Sequence, residues 1–204
     1  MSRVVIFGAG GRTGRCLVDE ALAAGHQVSA AMRISVPLPG VESIVADLRD
    51  PASVEAAVKG QDVVISAIGP SGRKAMGLYS AAARALVPAL EATGGARLIA
   101  ITSAGVRHDD PNFKPVYRVL ARTVMKEAYD DMRLMESIVR SSSVDWSFVR
   151  PTRLEDGPAT GTYRVQDNET PMGGWQVTRT DVARFIVQEI EKRQWCHASP
   201  TLAE

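Results

Sequence analysis

Short apolar runs and amphipathic stretches alternate along this chain, beginning with Val4-Val5-Ile6-Phe7, a run brief enough for a strand buried on both faces. Further runs at Gln27–Met32, Ser43–Ala46, Asp62–Ala67, Arg97–Thr102 and Asp145–Val149 predict strands. Between them the spacing of apolar positions predicts helices over Arg15–Ala24, closed by Gly25, over Ala52–Val58 and Ala75–Thr93, and over roughly Val116–Ser141. Strand and helix in turn imply an α/β fold with a doubly wound, mostly parallel sheet and right-handed crossovers.

After Pro151 the composition shifts toward Gly, Thr, Pro and Asp. Strands are predicted at Thr162–Gln166 and around Trp175–Thr178, followed by a helix from Asp181 to about Lys192 with Thr180 as its cap. This stretch is too short for a core of its own, so the chain reads as one domain over 1–204, a core of about 1–150 with an extension of about 151–204. Ligands of open parallel sheets lie beyond the carboxyl ends of the strands, where such an extension can cover a substrate. Pro158, Gly161, Pro171, Gly173 and Gly174 mark loops there, either moving covers or plain solvent-facing connections.

The first strand runs into Gly8-Ala9-Gly10-Gly11-Arg12-Thr13-Gly14, where Gly8, Gly11 and Gly14 recur every third residue before a helix. Gly8 permits a tight turn, Gly11 admits a pyrophosphate close to the backbone, and Gly14 lets helix and strand pack closely. The helix N-terminus then offers N–H groups and partial positive charge to the phosphates. This is the corner of a dinucleotide-binding Rossmann fold, spaced Gly-x-x-Gly-x-x-Gly because Thr13 stands where the commoner pattern has its third glycine.

Composition narrows the field further. Hydrophobic residues make up 45% and charged residues 23% of 204, with a formal net charge of +1, so neither disorder nor an electrostatic nucleic-acid surface is indicated. No apolar stretch is long enough to span a membrane and no leader precedes the first strand, which predicts a cytoplasmic protein. Cys16 and Cys196 have no metal-ligand spacing to a histidine; both read as reduced thiols, and no metal site is expected.

The end of the second strand selects the cofactor. An Asp or Glu there binds the ribose 2′-hydroxyl of NAD, whereas an arginine accommodates the 2′-phosphate of NADP. Here the strand ends Ala31-Met32-Arg33 and the first acid beyond it is Glu42, which favours NADPH with Arg33 on the phosphate over a merely solvated arginine. Arg12 is a second candidate for the same phosphate, Asp47-Leu48 follows the third strand beside the adenine position, and Ala67-Ile68-Gly69 makes a small-residue turn after the fourth. Asp47 reads alternatively as a turn or cap residue before Asp50-Pro51. Thr102 and Ser103 put two hydroxyls at the end of the fifth strand, nearest the nicotinamide. The cofactor candidates are thus Gly8, Gly10, Gly11, Arg12, Thr13, Gly14, Arg33, Asp47, Leu48, Ala67, Ile68, Gly69, Thr102, Ser103 and Pro151.

Together these residues resemble the atypical short-chain dehydrogenase/reductase family, in its NmrA-like branch and the biliverdin reductase B (flavin reductase) type within it. The resemblance spans nearly the whole chain. It rests on the glycine corner, Met32-Arg33, Gly60-Gln61-Asp62-Val63-Val64-Ile65, Thr102-Ser103-Ala104, Arg150-Pro151-Thr152, Thr160-Gly161-Thr162-Tyr163 and Thr178-Arg179-Thr180-Asp181-Val182-Ala183.

The chain also departs from that family. Most members use Tyr-x-x-x-Lys for proton transfer, but Tyr79, Tyr117 and Tyr129 are followed four residues on by Ala83, Ala121 and Arg133. Tyr129 with Arg133 is the nearest imitation, on a helix that reads as a solvated face beside Asp130 and Asp131. The biliverdin reductase B type manages without that tyrosine; its serine after the fifth strand matches Ser103, and its pocket histidine falls at Thr152, so Ser103 and Thr152 are the catalytic candidates the resemblance implies. His108 lies in the loop after Ser103, either reaching the pocket or on the surface.

The resemblance implies an NADPH-dependent oxidoreductase that passes hydride to a small conjugated acceptor (flavin, quinone or tetrapyrrole), working by orientation with no Tyr-x-x-x-Lys dyad. The alternative is a non-catalytic NADP-sensing regulator of the NmrA-like kind; a sugar-nucleotide epimerase is disfavoured by the missing tyrosine. Expected partners are a small-molecule substrate, no nucleic acid and no membrane, with the chain a monomer or a homodimer.

Overall fold

The computed structural model describes residues 1–34, 36–70, 75–113 and 123–204. Strands β1 (Arg3–Phe7), β2 (Gln27–Met32), β3 (Glu42–Val45), β4 (Val63–Ser66), β5 (Arg97–Ile101) and β6 (Trp146–Pro151) pair in parallel, in the order β3-β2-β1-β4-β5-β6. The helices between them are α1 (Arg12–Ala23), α2 (Pro51–Val58), α3 (Leu78–Thr93) and α4 (Lys126–Arg140). The predicted alternation is therefore present with boundaries shifted by a few residues. For the long predicted helix, the stretch from Val116 to Arg122, which includes Tyr117, lies outside the described residues.

Alternation along each strand divides the core in two. Val5 and Phe7 face Val64, Leu98, Ala100, Leu86 and Met135 on the side of α2, α3 and α4. Val4 and Ile6 face Ile65, Ile99, Leu17 and Ile186 on the other side. Strands buried on both faces read as continuous apolar runs for this reason, and each fully buried side chain of this size contributes about 1.5–3 kcal/mol.

The segment after Pro151 continues the same sheet. Strand β10 (Pro200–Ala203) lies parallel to β6, and β8 (Arg164–Asp167) runs antiparallel to β10 at the sheet edge. β7 (Arg153–Glu155) and β9 (Gln176–Thr178) form a separate two-stranded parallel ladder, and α5 (Arg179–Lys192) packs beside α1. Neither β7 nor β10 was predicted. The cap of α5 is Thr178 rather than Thr180: its hydroxyl accepts the Asp181 N–H, while Thr180 donates to the Gly157 carbonyl at 2.8 Å.

Candidate functional site

Strand order reverses between β1 and β4, and the crevice beyond the carboxyl ends of strands at such a point is where open α/β sheets take their ligands. Gly8, with φ +82°, turns the chain there, and a Cβ on it would fall 2.6 Å from the Ala67 carbonyl oxygen. Gly14 is tighter still, since a Cβ would lie 2.1 Å from the Gly8 oxygen and 2.8 Å from the Ala9 Cα. Gly10 and Gly11 are exposed, and Gly69 has open space where a side chain would be.

The amide ends of the helices differ. Thr178 caps α5 and Asp50 caps α2, and the buried carboxylate of Asp131 accepts the Tyr79 and Ser80 N–H groups of α3 at 2.9 and 3.2 Å. No side chain caps α1, whose N-cap is Gly11. Its first turn, with Arg12, Thr13 and Gly14, thus presents N–H groups and the positive end of the helix dipole to the crevice, a cradle that fits a dinucleotide pyrophosphate.

Arg33 is exposed at the end of β2 and makes no ion pair among the described residues. Arg12, in contrast, is paired across the cleft: Asp156 accepts Arg12 Nη1 at 2.9 Å and Arg179 Nη1 at 2.7 Å. Asp47 accepts the Arg49 N–H at 2.9 Å and Leu48 is buried in the core, so both serve the turn into α2 whatever else they touch. Ala67 donates its N–H to the Phe7 carbonyl, and the side chain of Ile68 packs on the core.

At the far end of the crevice, Ser103 Oγ accepts the Gly105 N–H at 3.2 Å, an arrangement that leaves its own O–H to donate. Thr102 turns the other way, its hydroxyl donating to Glu136 at 2.9 Å. Buried Arg150 donates Nε to the same carboxylate at 3.0 Å, so Glu136 of α4 ties together the ends of β5 and β6, just before Pro151. The Thr152 hydroxyl donates to the Leu202 carbonyl at 3.1 Å. His108 is exposed.

The helix carrying Tyr129 is not the solvated face expected there. Tyr129 is buried with its ring against Gly105, where a Cβ would sit 2.3 Å from the phenol carbon. Arg133 directs Nη1 to the Val106 carbonyl and Nη2 to Asp130, and not to the phenol. Burial, with Asp131 adding to it, pushes Tyr79 up to about 12, so it stays protonated at neutral pH.

Sequence reasoning missed one organising residue. Asp181 accepts the Thr160 N–H at 2.9 Å, the Thr160 hydroxyl at 3.0 Å, the Gly161 N–H at 3.0 Å and the Thr178 hydroxyl at 2.7 Å. Burial alone raises this carboxyl, but these hydrogen bonds, led by the Thr160 amide, outweigh it and hold its pKa below the ordinary value. The signal was present as the two motifs Thr160-Gly161 and Thr178-Arg179-Thr180-Asp181, read separately.

Residues 8–193 match the family of NAD(P)H-binding proteins. Among solved structures, a Burkholderia pseudomallei protein provisionally described as exported is 31% identical, with a TM-score of 0.81 over 100% of both chains. The anaerobillin reductase ChuY of Escherichia coli O157:H7 is 27% identical, with a TM-score of 0.82 over 99% of this chain and 97% of that one. The Saccharomyces cerevisiae protein YMR090W is 25% identical over 203 residues, 92% of this chain and 86% of its own. These findings bear out the α/β fold and the resemblance read from the motifs. No helix among the described residues is long and apolar enough to cross a membrane.

Proposed function

Because the chain belongs to the NAD(P)H-binding family, we propose that it is an NADPH-dependent oxidoreductase whose acceptor is a small conjugated molecule such as a tetrapyrrole, flavin or quinone. The observation that carries this reading is the uncapped amide end of α1 beneath a glycine turn, with Arg33, which has no ion pair among the described residues, at the neighbouring strand end. Arg33 has the fork geometry and charge for a 2′-phosphate, and Gly10, Gly11 and Gly69 leave the wall free of side chains. When bound, the cofactor supplies the hydride. Ser103 holds a donor O–H at the end of β5, suited to the acceptor or to the nicotinamide amide. The tetrapyrrole class is supported by the likeness to an anaerobillin reductase.

A second reading, a sensor that binds NADP without turnover, draws support from Thr152, whose hydroxyl proton is committed to the Leu202 carbonyl and not to a substrate. Anaerobic oxidation of NADPH against a panel of tetrapyrroles, flavins and quinones separates the two. Turnover with any acceptor is expected; tight NADPH binding without oxidation by any of them establishes the sensor instead. Calorimetry should also give weaker NADPH binding in Arg33→Ala, by the roughly 1.5–3 kcal/mol of a charged hydrogen bond, with NADH affinity unchanged.

A further inference from the structure

Between α4, β6 and the end of β8 lies a groove of about 460 Å³ that shares no lining residue with the glycine corner. Its walls carry Arg107, Arg133, Arg140 and Arg150. At its floor Arg150 and Glu136 are each only 5% exposed, and Arg150 completes its bonding through Nη1 to the Asn168 side-chain oxygen at 2.6 Å. Arg140 reaches the same Glu136 carboxylate at 3.3 Å and the Ser199 hydroxyl at 2.7 Å, both through Nη2. One carboxylate therefore serves two guanidinium groups, and a positive charge is left over. The wall cations balance: Arg107 has both Glu169 and Asp109, while Arg133 shares Asp130 with Lys126.

Arg140 is held in a defined pose. Its guanidinium lies 4.3 Å from the Trp146 ring centre and 5.0 Å from that of Phe148, and its side chain is 40% exposed. Stacking on aromatic rings leaves the N–H edges of the plane free. Its Nε and Nη1 have no acceptor among the described residues, while Nη2 is fixed by Glu136 and Ser199. A pre-oriented donor with surplus charge, beside a groove of ligand size, is the arrangement that recognises an oxyanion.

We propose that this groove binds the oxyanion end, carboxylate or phosphate, of a small organic molecule, with Arg140 as its principal donor. The site shares no residue with the glycine corner, and it adjoins the far end of the crevice through Glu136 and Arg150. It is tested by calorimetric titration of the whole chain with inorganic phosphate and, separately, with succinate, NADP being present to fill the phosphate positions of the cleft. Saturable binding of at least one anion, with a dissociation constant on the order of 1 mM, is expected. Arg140→Gln should weaken it at least about tenfold, as loss of a charged hydrogen bond requires, and Arg140→Lys, which keeps the charge but not the stacked donor plane, should fall between the parent and Arg140→Gln. Phosphate alone binding assigns a phosphoryl group, and succinate alone a carboxylate; either supports the site. Absence of saturable binding by both anions overturns it. So does binding that survives Arg140→Gln unchanged, or that falls equally in Arg164→Gln, an exposed arginine outside the groove, since that outcome marks general charge attraction.

Discussion

The two ends of the crevice are shaped by opposite means. At the β1 end the form comes from side chains that are missing: Gly8 and Gly14 allow backbone to approach backbone at distances no Cβ would survive. At the β6 end it comes from buried charge: Glu136, Arg150 and Thr102 lock two strand ends to α4, and Asp181 gathers Thr160, Gly161 and Thr178. The first kind of construction is local at Gly14, whose partners are Gly8 and Ala9, and reaches across the sheet only where Gly8 meets Ala67. Thr178 and Asp181 aside, the second joins residues 14 to 34 positions apart and depends on the fold already being in place. A corner made of space tolerates no added atom, whereas a corner made of charge tolerates no missing partner.

The largest expected effect follows from the second rule. Glu136→Gln keeps the shape but leaves Arg150 buried without its counter-charge, which costs about 3–5 kcal/mol, while replacing both Glu136 and Arg150 by methionine should recover most of that loss. Urea denaturation of the three proteins measures it. Equal stability of Glu136→Gln and the parent chain would remove the contrast between the two ends.

Next comes the glycine corner, where two glycines should separate fold from ligand. Gly14→Ala forces a Cβ to 2.1 Å from the Gly8 oxygen, so the strand and α1 must shift apart, at a cost of about 3 kcal/mol or more. Gly11 is exposed, with its nearest contact, the Gly8 oxygen, 3.2 Å from an added Cβ, so Gly11→Val should retain the circular dichroism of the parent and lose cofactor binding. Unfolding of Gly11→Val, or normal stability of Gly14→Ala, would show that the space is used differently.

These two ends were also unequally legible from sequence. Val4 to Gly14 announces itself because strand, turn and helix are contiguous. β10 begins at a proline and has four residues; it is a strand only because β6 and β8 flank it, and periodicity carries no such information. Tyr129 was misread because Asp130 and Asp131 flank it. The helical spacing of Met132, Met135 and Val139 marks a buried stripe on that helix, and Asp131 is itself buried because it caps α3. The Asp181 contacts were missed for a related reason, since a carboxylate in the first turn of its own helix does not by itself point to a loop twenty residues upstream.

Asp181 gives a smaller effect with a definite sign. Its folded pKa lies below the ordinary carboxylate value, so the unfolded chain binds the proton more readily in acid. The stabilisation is complete above the unfolded pKa of about 4 and is lost as pH falls through the folded value. Asp181→Asn should cost about 1.5–3 kcal/mol at pH 7, the worth of a charged hydrogen bond, and progressively less toward pH 3. Thermal unfolding from pH 3 to pH 7 tests this. Exposed acids with lowered values, such as Asp62, Asp130 and Asp145, contribute equally to both proteins and cancel in the difference. A difference between the two proteins that stays constant with pH would assign the Asp181 effect to packing.

The smallest effect lies where the two constructions meet. Asp156 is 63% exposed yet bridges Arg12 of the glycine corner and Arg179 at the start of α5. An exposed ion pair of this kind contributes at most about 1 kcal/mol, so Asp156→Asn should shift stability little. Its influence on a ligand is opposite in sign, because Asp156 places a negative charge beside the helix end proposed to hold phosphates and occupies the guanidinium that would otherwise turn to them. Removing that charge should tighten NADPH binding by about two- to fivefold at low ionic strength, and the gain should shrink in about 0.5 M salt as screening sets in. Arg12→Gln in the same titration should abolish most of the gain. Tighter binding that ignores salt would point to loop rearrangement, and weaker binding in Asp156→Asn would mean that the bridge assembles the crevice and that charge helps to build even the glycine end.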